Sequence, residues 1–137
     1  MKNLVIDTGA LTLFFAGDVR VKPHFDSVEH RKVKGYISSV NLSEFYYKTC
    51  QKLGGDTAEI RYHQARSALT AVETDEGLAL LAGAEKCRRS TLSLADCFAL
   101  ALAKTFKATL LTTDGELAKV KEVDVKLLNL GPAVSRP

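Results

Sequence analysis

Short apolar runs alternate along the chain with longer stretches in which apolar residues recur every three or four positions. The short runs are typical of buried β-strands and lie at 4–6, 36–39, 108–111 and 125–128. The longer stretches predict helices over 10–16, 23–34, 41–53, 56–69, 76–88, 93–106 and 116–121. Because helices separate almost every strand from the next, the pattern predicts a three-layer α/β/α fold with a central, mostly parallel sheet of about four to five short strands.

Two of these helices carry specific expectations. Pro23 is expected to open the second helix, with Phe25, Val28 and Val33 on its buried face and Gly35 at its end. The sixth helix is apolar on nearly every side, which predicts a position at the centre of the fold.

The length and composition are those of one globular domain. The chain has 137 residues, of which 46% are hydrophobic, enough to bury a core. We expect a single domain over residues 1–131 and a short C-terminal tail over residues 132–137. The net charge of +3 is mildly basic, which permits a nucleic-acid partner without requiring one.

Cysteine usage and hydropathy suggest a compartment. Cys50, Cys87 and Cys97 have no CxxC spacing and are odd in number, so we expect buried free thiols in a reducing environment. Asp7 interrupts the N-terminal apolar run, which makes that run a poor signal peptide. No apolar run approaches the ~18 residues that a transmembrane helix needs. These features together predict a cytoplasmic location.

Four carboxylates occupy comparable places in this pattern. Asp7 ends the first strand, Asp114 follows the strand at 108–111, Glu44 follows the second strand, and Asp96 lies in the first turn of the sixth helix. Ligands of parallel α/β sheets bind at the carboxyl ends of the strands. Four carboxylates gathered there could not all stay ionised without a cation. Hard oxygen ligands suit Mg²⁺ or Mn²⁺, so the sequence predicts a divalent metal site.

Each of these acids also has a structural explanation. Asn41-x-x-Glu44 and Ser93-x-x-Asp96 fit the capping box of a helix N-terminus. Asp114 precedes Gly115 as in many turns, and Asp7 is placed to cap the helix after it. Capping does not, however, require acids to gather at one edge of one sheet.

With these residues identified, the chain resembles the PIN-domain ribonucleases, of the kind found as VapC-type toxins. The resemblance rests on four segments, Val5-Ile6-Asp7-Thr8, Ser43-Glu44, Leu94-Ala95-Asp96 and Leu110-Leu111-Thr112-Thr113-Asp114. It implies a PIN-like fold and a Mg²⁺- or Mn²⁺-dependent endoribonuclease that hydrolyses RNA phosphodiester bonds with a metal-activated water.

The resemblance also implies a role for each matching residue. Asp7, Asp96 and Asp114 would be the inner metal ligands, with Glu44 acting directly or through water. Thr113 and Thr8 would orient carboxylates or contact phosphate. Many relatives carry a further acid, and often a Phe, shortly after the fourth acid. This chain has Gly115-Glu116-Leu117-Ala118 instead, where Glu116 is the available substitute.

Partners follow from the same resemblance. It implies an RNA substrate, a cognate antitoxin protein and a homodimer, for which the apolar helices over 41–71 are the candidate interface. Basic residues outside the acidic cluster would attract RNA, and Arg88 and Arg89, close before Asp96, are candidates for its rim. Lys104, Lys107, Lys119 and Lys121 are further candidates.

Two other interpretations compete with this one. Asp7-Thr8-Gly9 resembles the catalytic loop of aspartic proteases, which share a proton between two such copies. That fold is almost entirely β, whereas helical patterns dominate this chain. The second alternative is a non-catalytic PIN-like interaction module in which the acids serve as caps. A haloacid-dehalogenase-type phosphatase is set aside, because it needs a second acid two residues after the first and this chain has Gly9 there.

Overall fold

A computed structural model gives the fold of the protein over residues 2–128. Its strands are β1 (Lys2–Ile6), β2 (Val33–Ser38), β3 (Thr70–Val72), β4 (Thr109–Thr112) and β5 (Val125–Leu127). Its helices are α1 (Thr8–Phe15), α2 (Lys22–Glu29), α3 (Ser39–Leu53), α4 (Gly55–Ala68), α5 (Glu76–Arg88), α6 (Leu94–Phe106) and α7 (Gly115–Ala118). The expected end of the domain at 131 and the tail over 132–137 lie outside the described residues.

The strands form one sheet in the order β3-β2-β1-β4-β5, and every pair is parallel. The chain moves outward from β1 to β2 and β3, and then returns through α5 and α6 to β4 on the other side of β1. The strand order therefore reverses between β1 and β4. At such a point the helices diverge and leave a crevice at the carboxyl edge of the sheet.

Successive residues of the central strands face opposite sides of the sheet, as the twofold period of a strand requires. Val5 and Leu110 belong to the core beneath α5, α6 and α7. Ile6 and Leu111 belong to the core beneath α1 to α4. Helices thus cover both faces, which confirms the predicted three-layer α/β/α fold. The parallel, helix-covered sheet excludes the aspartic-protease alternative.

Helix α6 lies at the centre of the core, as its composition predicts. Its residues from Cys97 to Ala103 are all between 0 and 8% exposed. Ser93 caps its first turn by accepting a hydrogen bond from the amide of Asp96 at 3.1 Å. None of the helices described between residues 2 and 128 is long and apolar enough to cross a membrane.

The expected end of the second helix at Gly35 is wrong. Helix α2 begins beside Pro23 as predicted but ends at Glu29, and Val33 is the first residue of β2. Arg31 adopts a left-handed conformation with φ of 59°, and the amide of Lys32 donates to the carbonyl of Ser27. This pattern is a Schellman motif, which ends a helix.

Gly35 has a packing role within β2. A Cβ at this position would lie 2.8 Å from a Leu69 methyl and 2.9 Å from a Val28 methyl. The glycine therefore lets α2 and the end of α4 approach the strand closely. A glycine that marks close packing looks, in sequence, the same as a glycine that ends a helix.

The sequence pattern did not predict β3 as a separate strand. This edge strand has only three residues, Thr70–Val72, and it pairs with β2 alone. Helix α7 is also shorter than expected, since it ends at Ala118. Cys97 is buried as predicted, but Cys87 is exposed and Cys50 is half-buried, so the expectation of burial is wrong for Cys87.

Candidate functional site

Three of the four predicted carboxylates meet at the crevice between β1 and β4. Asp7 directly follows β1, Asp114 is the second residue after β4, and Asp96 lies in the first turn of α6. The side chains of Asp96 and Asp114 are hydrogen-bonded to each other, and each lies close enough to Asp7 for charge repulsion to act in the cluster.

Asp7 is held almost completely out of solvent. It is 2% exposed, and its Oδ1 accepts a hydrogen bond from the Ala10 amide at 2.8 Å. Its Oδ2 accepts a hydrogen bond from the Thr112 hydroxyl. Burial raises the pKa of Asp7 from 3.8 to about 6 despite these bonds, and the charge of Asp114 adds to the rise. The folded protein thus fixes this carboxylate in place but disfavours its charge.

Asp96 and Asp114 behave as a pair. Burial, the hydrogen bond that protonated Asp96 donates to Asp114 and the charges of Asp114 and Asp7 raise the pKa of Asp96 to about 7. The hydrogen bond with Asp96 lowers the pKa of Asp114, as do backbone bonds from Glu116 and Leu117. Two carboxyl groups that are hydrogen-bonded to each other share one proton, because ionising both would place two negative charges side by side.

Glu44 lies apart from this pair, on the neighbouring α3. Its side chain is 18% exposed and its Oε2 lies 3.5 Å from the Lys48 Nζ. Glu44 lines a groove together with Ser93, Leu94 and Ala95, the residues that precede Asp96 on α6. The fourth acid therefore lies beside the start of α6, the helix that carries Asp96.

The capping explanation holds for Asp7 and Asp114, and for Asp96 the structure gives the Ser93 half of the capping box. Asp7 caps α1, Asp114 caps α7, and Ser93 caps α6 with Asp96 in its first turn. It does not hold for Glu44, because Ser38 rather than Asn41 caps α3. Capping thus accompanies the clustering of Asp7, Asp96 and Asp114, and Glu44 is left without a capping role.

Asn41 connects the elements that carry the carboxylates, and sequence reasoning did not single it out for this. It is fully buried, and its Nδ2 donates to the Thr8 Oγ1 at 3.2 Å and the Ala95 carbonyl at 3.3 Å. Its Oδ1 accepts from the Ser38 hydroxyl at 2.5 Å. One side chain thus joins the starts of α1, α3 and α6. A polar residue on the buried face of α3 is the signal that could have identified it.

The hydroxyl that contacts a carboxylate belongs to Thr112. Besides donating to Asp7, its Oγ1 accepts a hydrogen bond from the Asp114 amide at 2.9 Å. The sequence singled out Thr113 and Thr8 instead. The Thr8 hydroxyl donates to the Asn41 carbonyl, and Thr113 bonds to Asp7 through its backbone. The Thr113 side chain packs against Gly9, where an added Cβ would overlap its Oγ1.

The arginines proposed for the rim are engaged elsewhere. Arg88 and Arg89 bind Glu85, whose side chain is fully buried, at 3.0 and 3.1 Å. Lys104 binds the same carboxylate at 2.5 Å. Lys119 pairs with Glu116 at 2.5 Å, so the acid that could substitute for the family's fifth already has a cationic partner. Each of these cations thus forms an ion pair within the protein, although Arg88 and Lys119 keep most of their side-chain surface exposed.

The donor set fits a hard divalent cation. As the side chains stand, no three His, Cys, Asp or Glu residues among residues 2–128 form a ready-made metal site. Asp7 is bonded to Thr112 and Ala10, and Asp96 is bonded to Asp114. Burial raises the pKa of both Asp7 and Asp96, and no cationic side chain within residues 2–128 is among the main groups that shift either pKa. Carboxylate oxygens with uncompensated charge are suitable ligands for Mg²⁺ or Mn²⁺.

The family model of the PIN domain matches residues 4–123. The chain therefore belongs to the PIN-domain family, and the resemblance seen in its sequence is confirmed. Comparison with curated proteins gives no match.

Several solved structures share the fold. VapBC2 from Rickettsia felis, bound to a DNA fragment from its promoter, aligns with a TM-score of 0.78 at 13% identity over 93% of this chain and 99% of that chain. DNA-bound VapBC from Salmonella typhimurium aligns with a TM-score of 0.73 at 18% identity, over 92% of this chain and 98% of that chain. VapC20 from Mycobacterium tuberculosis is a toxin that cleaves the sarcin-ricin loop. It aligns with a TM-score of 0.69 at 19% identity, over 88% of this chain and 98% of that chain.

Proposed function

We propose that this PIN-domain protein is a Mg²⁺- or Mn²⁺-dependent endoribonuclease and the toxin of a toxin–antitoxin pair. The observation that carries the proposal is the meeting of Asp7, Asp96 and Asp114 at the reversal of strand order, where no cationic side chain among residues 2–128 pairs with these acids. A fold shared with VapC20, which cleaves the sarcin-ricin loop, supports RNA as the substrate.

Asp7, Asp96 and Asp114 would hold the metal, with Glu44 beside them. When bound, the metal would lower the pKa of a water molecule and hold the scissile phosphate. The protein's part is to deliver three carboxylates in fixed positions. Hydrogen bonds from Thr112 and Ala10 hold both oxygens of Asp7. Loss of the proton shared by Asp96 and Asp114 makes that pair available as ligands.

Glu44 has a different task in this proposal. It lies outside the hydrogen-bonded cluster, and only Lys48 pairs with it among the described residues. A carboxylate beside the start of α6 can orient a water molecule or accept its proton through an Oε atom. Asn41 acts behind the carboxylates, because it fixes the start of α1 against the start of α6.

The proposal includes a protein partner. VapBC2 from Rickettsia felis and VapBC from Salmonella typhimurium are toxin–antitoxin assemblies of the same fold, which supports a cognate antitoxin for this chain. A homodimer in the cytoplasm completes the proposal. Leu53 and Ile60, on α3 and α4, are 54% and 59% exposed, which supports the interface expected over 41–71.

A cleavage assay tests the activity. Purified protein is incubated with a panel of labelled single-stranded RNAs in Mg²⁺, in Mn²⁺ and in EDTA. We expect cleavage with either metal, none in EDTA, and a loss of at least about 100-fold for Asp96→Asn. Asp56→Asn, which changes an exposed acid on α4, is the matched control and should cleave normally.

Calorimetry distinguishes the nuclease from an inert interaction module. Titration with Mn²⁺ should show binding to the wild type and much weaker binding to Asp7→Asn and Asp96→Asn. Absence of binding to the wild type, or equal binding by all three proteins, would contradict the metal site. It would favour the non-catalytic module, in which the acids serve only as caps.

A further inference from the structure

A groove of about 490 Å³ lies between α3 and the start of α6, and its lining extends to Ala95, the residue before Asp96. Its α3 side carries Val40, Ser43, Glu44 and Tyr47, which are spaced by three, one and three residues and so form one face of that helix. The opposite face of α3 is buried against the core, with Leu42 and Phe45 each 1% exposed. That opposite face therefore anchors the helix, and Val40 of the groove face also packs against the core.

Two large apolar side chains in the groove remain exposed to solvent. Tyr47 is 47% exposed on the α3 side, and Leu94 is 52% exposed on the α6 side. Ser39, Ser43 and Ser93 add hydroxyl groups to the lining. A combination of an aromatic ring, an apolar wall and hydroxyls suits a flat heterocycle that also needs hydrogen bonds.

The charge of the groove favours a base over a phosphate. Glu44 is the one charged residue among the described residues that line it. An anion there would meet the Glu44 carboxylate, whose partner Lys48 lies outside the groove lining. A neutral base meets none of that repulsion. The groove also includes Ala95, the residue before Asp96, so its occupant would lie next to the group held by the carboxylates.

We propose that this groove binds a nucleobase of single-stranded RNA next to the scissile phosphate, with Tyr47 as the stacking surface. The inference rests on the proposed ribonuclease function and adds to it a site for a base. Tyr47 would set substrate affinity and preference among sequences, while taking no part in breaking the phosphodiester bond.

Abasic substitution tests this directly. An RNA that the wild type cleaves is made with single abasic nucleotides at each position around the cleaved bond. For the wild type we expect one position at which base removal raises KM roughly tenfold, the scale of one base–aromatic stack, with kcat little changed. Tyr47→Ala should show that tenfold loss with the intact RNA and no further loss with the abasic RNA.

Controls separate stacking from other effects. Tyr47→Phe should retain wild-type KM, and Leu80→Ala, which removes an exposed apolar side chain on α5, should behave as the wild type. Thermal unfolding checks that each variant is folded. An unchanged KM for Tyr47→Ala, or an abasic penalty that persists in it, would overturn the inference while the ribonuclease activity stands.

Two further results would also overturn it. A change in oligomeric mass for Tyr47→Ala, with the abasic penalty intact, would assign the face to contact between copies of the chain. Absence of RNA cleavage by the wild type would instead reject the proposed function, and the base site with it.

Discussion

At the scale of single residues, Asp7 illustrates a conflict between stability and a charged site. The folded chain surrounds this carboxylate with hydrogen-bond donors from Thr112, Ala10 and Thr113 and removes it from water. Its raised pKa means that burial outweighs those bonds. Ionisation of Asp7 therefore lowers the free energy of unfolding, and a cation bound beside the carboxylate would offset that loss.

The first prediction concerns pH. The pKa of Asp7 rises from 3.8 to about 6 on folding, so its contribution to stability is full below 3.8 and is lost as pH rises through 6. A shift of this size corresponds to roughly 3 kcal/mol, and loss of one acceptor oxygen costs about 1 kcal/mol. In EDTA at pH 8, Asp7→Asn should thus be more stable than the wild type by about 2 kcal/mol.

Urea unfolding at two pH values checks this prediction. The advantage of Asp7→Asn should disappear at pH 4, where the wild-type carboxyl is already protonated. A variant that is less stable than the wild type at both pH values would contradict it.

The second prediction concerns Thr112. Its hydroxyl serves both Asp7 and the amide of Asp114, so Thr112→Val leaves two buried groups without a partner. We expect a loss of about 2 kcal/mol in the free energy of unfolding. The pKa of Asp7 should rise further, since the bond from Thr112 lowers it. Carboxyl NMR titration measures the second effect, and Thr112→Ser, which keeps the hydroxyl, should show neither.

The sequence indicated the acids of the site but not the residues that hold them. Asp7, Asp96 and Asp114 were identifiable because each combines an acid with a strand or helix end. Thr112 and Asn41 were not, because their partners are 105 and up to 54 positions away in the chain. A threonine at the end of a buried strand has no local pattern that distinguishes it from its neighbour Thr113.

At the scale of elements, two helices end at residues with an unusual backbone. Arg31 after α2 and Lys107 after α6 have φ of 59° and 50°. The amide of Ala108 donates to the carbonyl of Ala103 at 2.9 Å, which completes a Schellman motif at the end of α6. Both ends use a residue with a Cβ where glycine is the usual choice.

The third prediction follows from this geometry. A left-handed conformation costs an L-residue about 1–2 kcal/mol. Glycine avoids that cost but loses about 0.5–1 kcal/mol through the greater freedom of its unfolded chain. Lys107→Gly should therefore stabilise the protein by about 0.5–1 kcal/mol in denaturant unfolding. Lys107→Ala keeps the Cβ and should give no gain; an equal gain would mean that the backbone strain is not the cause.

Element boundaries were predictable where local chemistry decides them. Pro23 opens α2, and the span predicted for α5 matches its observed limits. Where tertiary packing decides, local signals misled. Gly35 lies in a strand because Val28 and Leu69 approach it, and Ser38 rather than Asn41 caps α3 because Asn41 is drawn into the core.

At the scale of the whole molecule, a buried ion cluster joins distant parts of the chain. Glu85 of α5 is fully buried and binds Arg89, the residue directly after that helix, and Lys104 of α6. Glu122, close before β5, pairs with both cations. Burial acts to raise the pKa of Glu85, but hydrogen bonds from Lys104 and Arg89 outweigh it and hold that pKa below its usual value.

The fourth prediction concerns this cluster. Glu85→Ala would leave Lys104 and Arg89 without their buried partner, and we expect a loss of about 3 kcal/mol in the free energy of unfolding at pH 7. Because folding lowers the pKa of Glu85, its contribution is present above the unfolded value of 4.5 and is lost as pH falls below that value. The penalty measured by urea unfolding should therefore shrink in acid.

A double variant provides the control. Glu85→Ala combined with Lys104→Ala should be less destabilised than the sum of the two single variants, because it removes both partners together. Strict additivity would mean that the two side chains do not interact.

The assembly of the site required the sheet order, which local patterns do not give. The alternation of helices and strands predicted parallel strands but not that β4 lies beside β1. The pairing of β1 with β4 places Asp114 beside Asp7. Helix α6, which directly precedes β4 in the chain, brings Asp96 to the same edge of the sheet. Asp96 has no strand directly before it, so its position depended entirely on the course of the chain through α5 and α6.

The contact of Gly9 with Thr113 has a consequence for the tripeptide that imitates a protease. A methyl group on residue 9 would occupy the space of the Thr113 hydroxyl. A larger residue at position 9 would therefore need a smaller one at position 113. The glycine of Asp-Thr-Gly is thus required here by close contact between the first turn of α1 and the turn after β4. The same tripeptide can therefore result from a packing constraint as well as from the catalytic requirements of a protease.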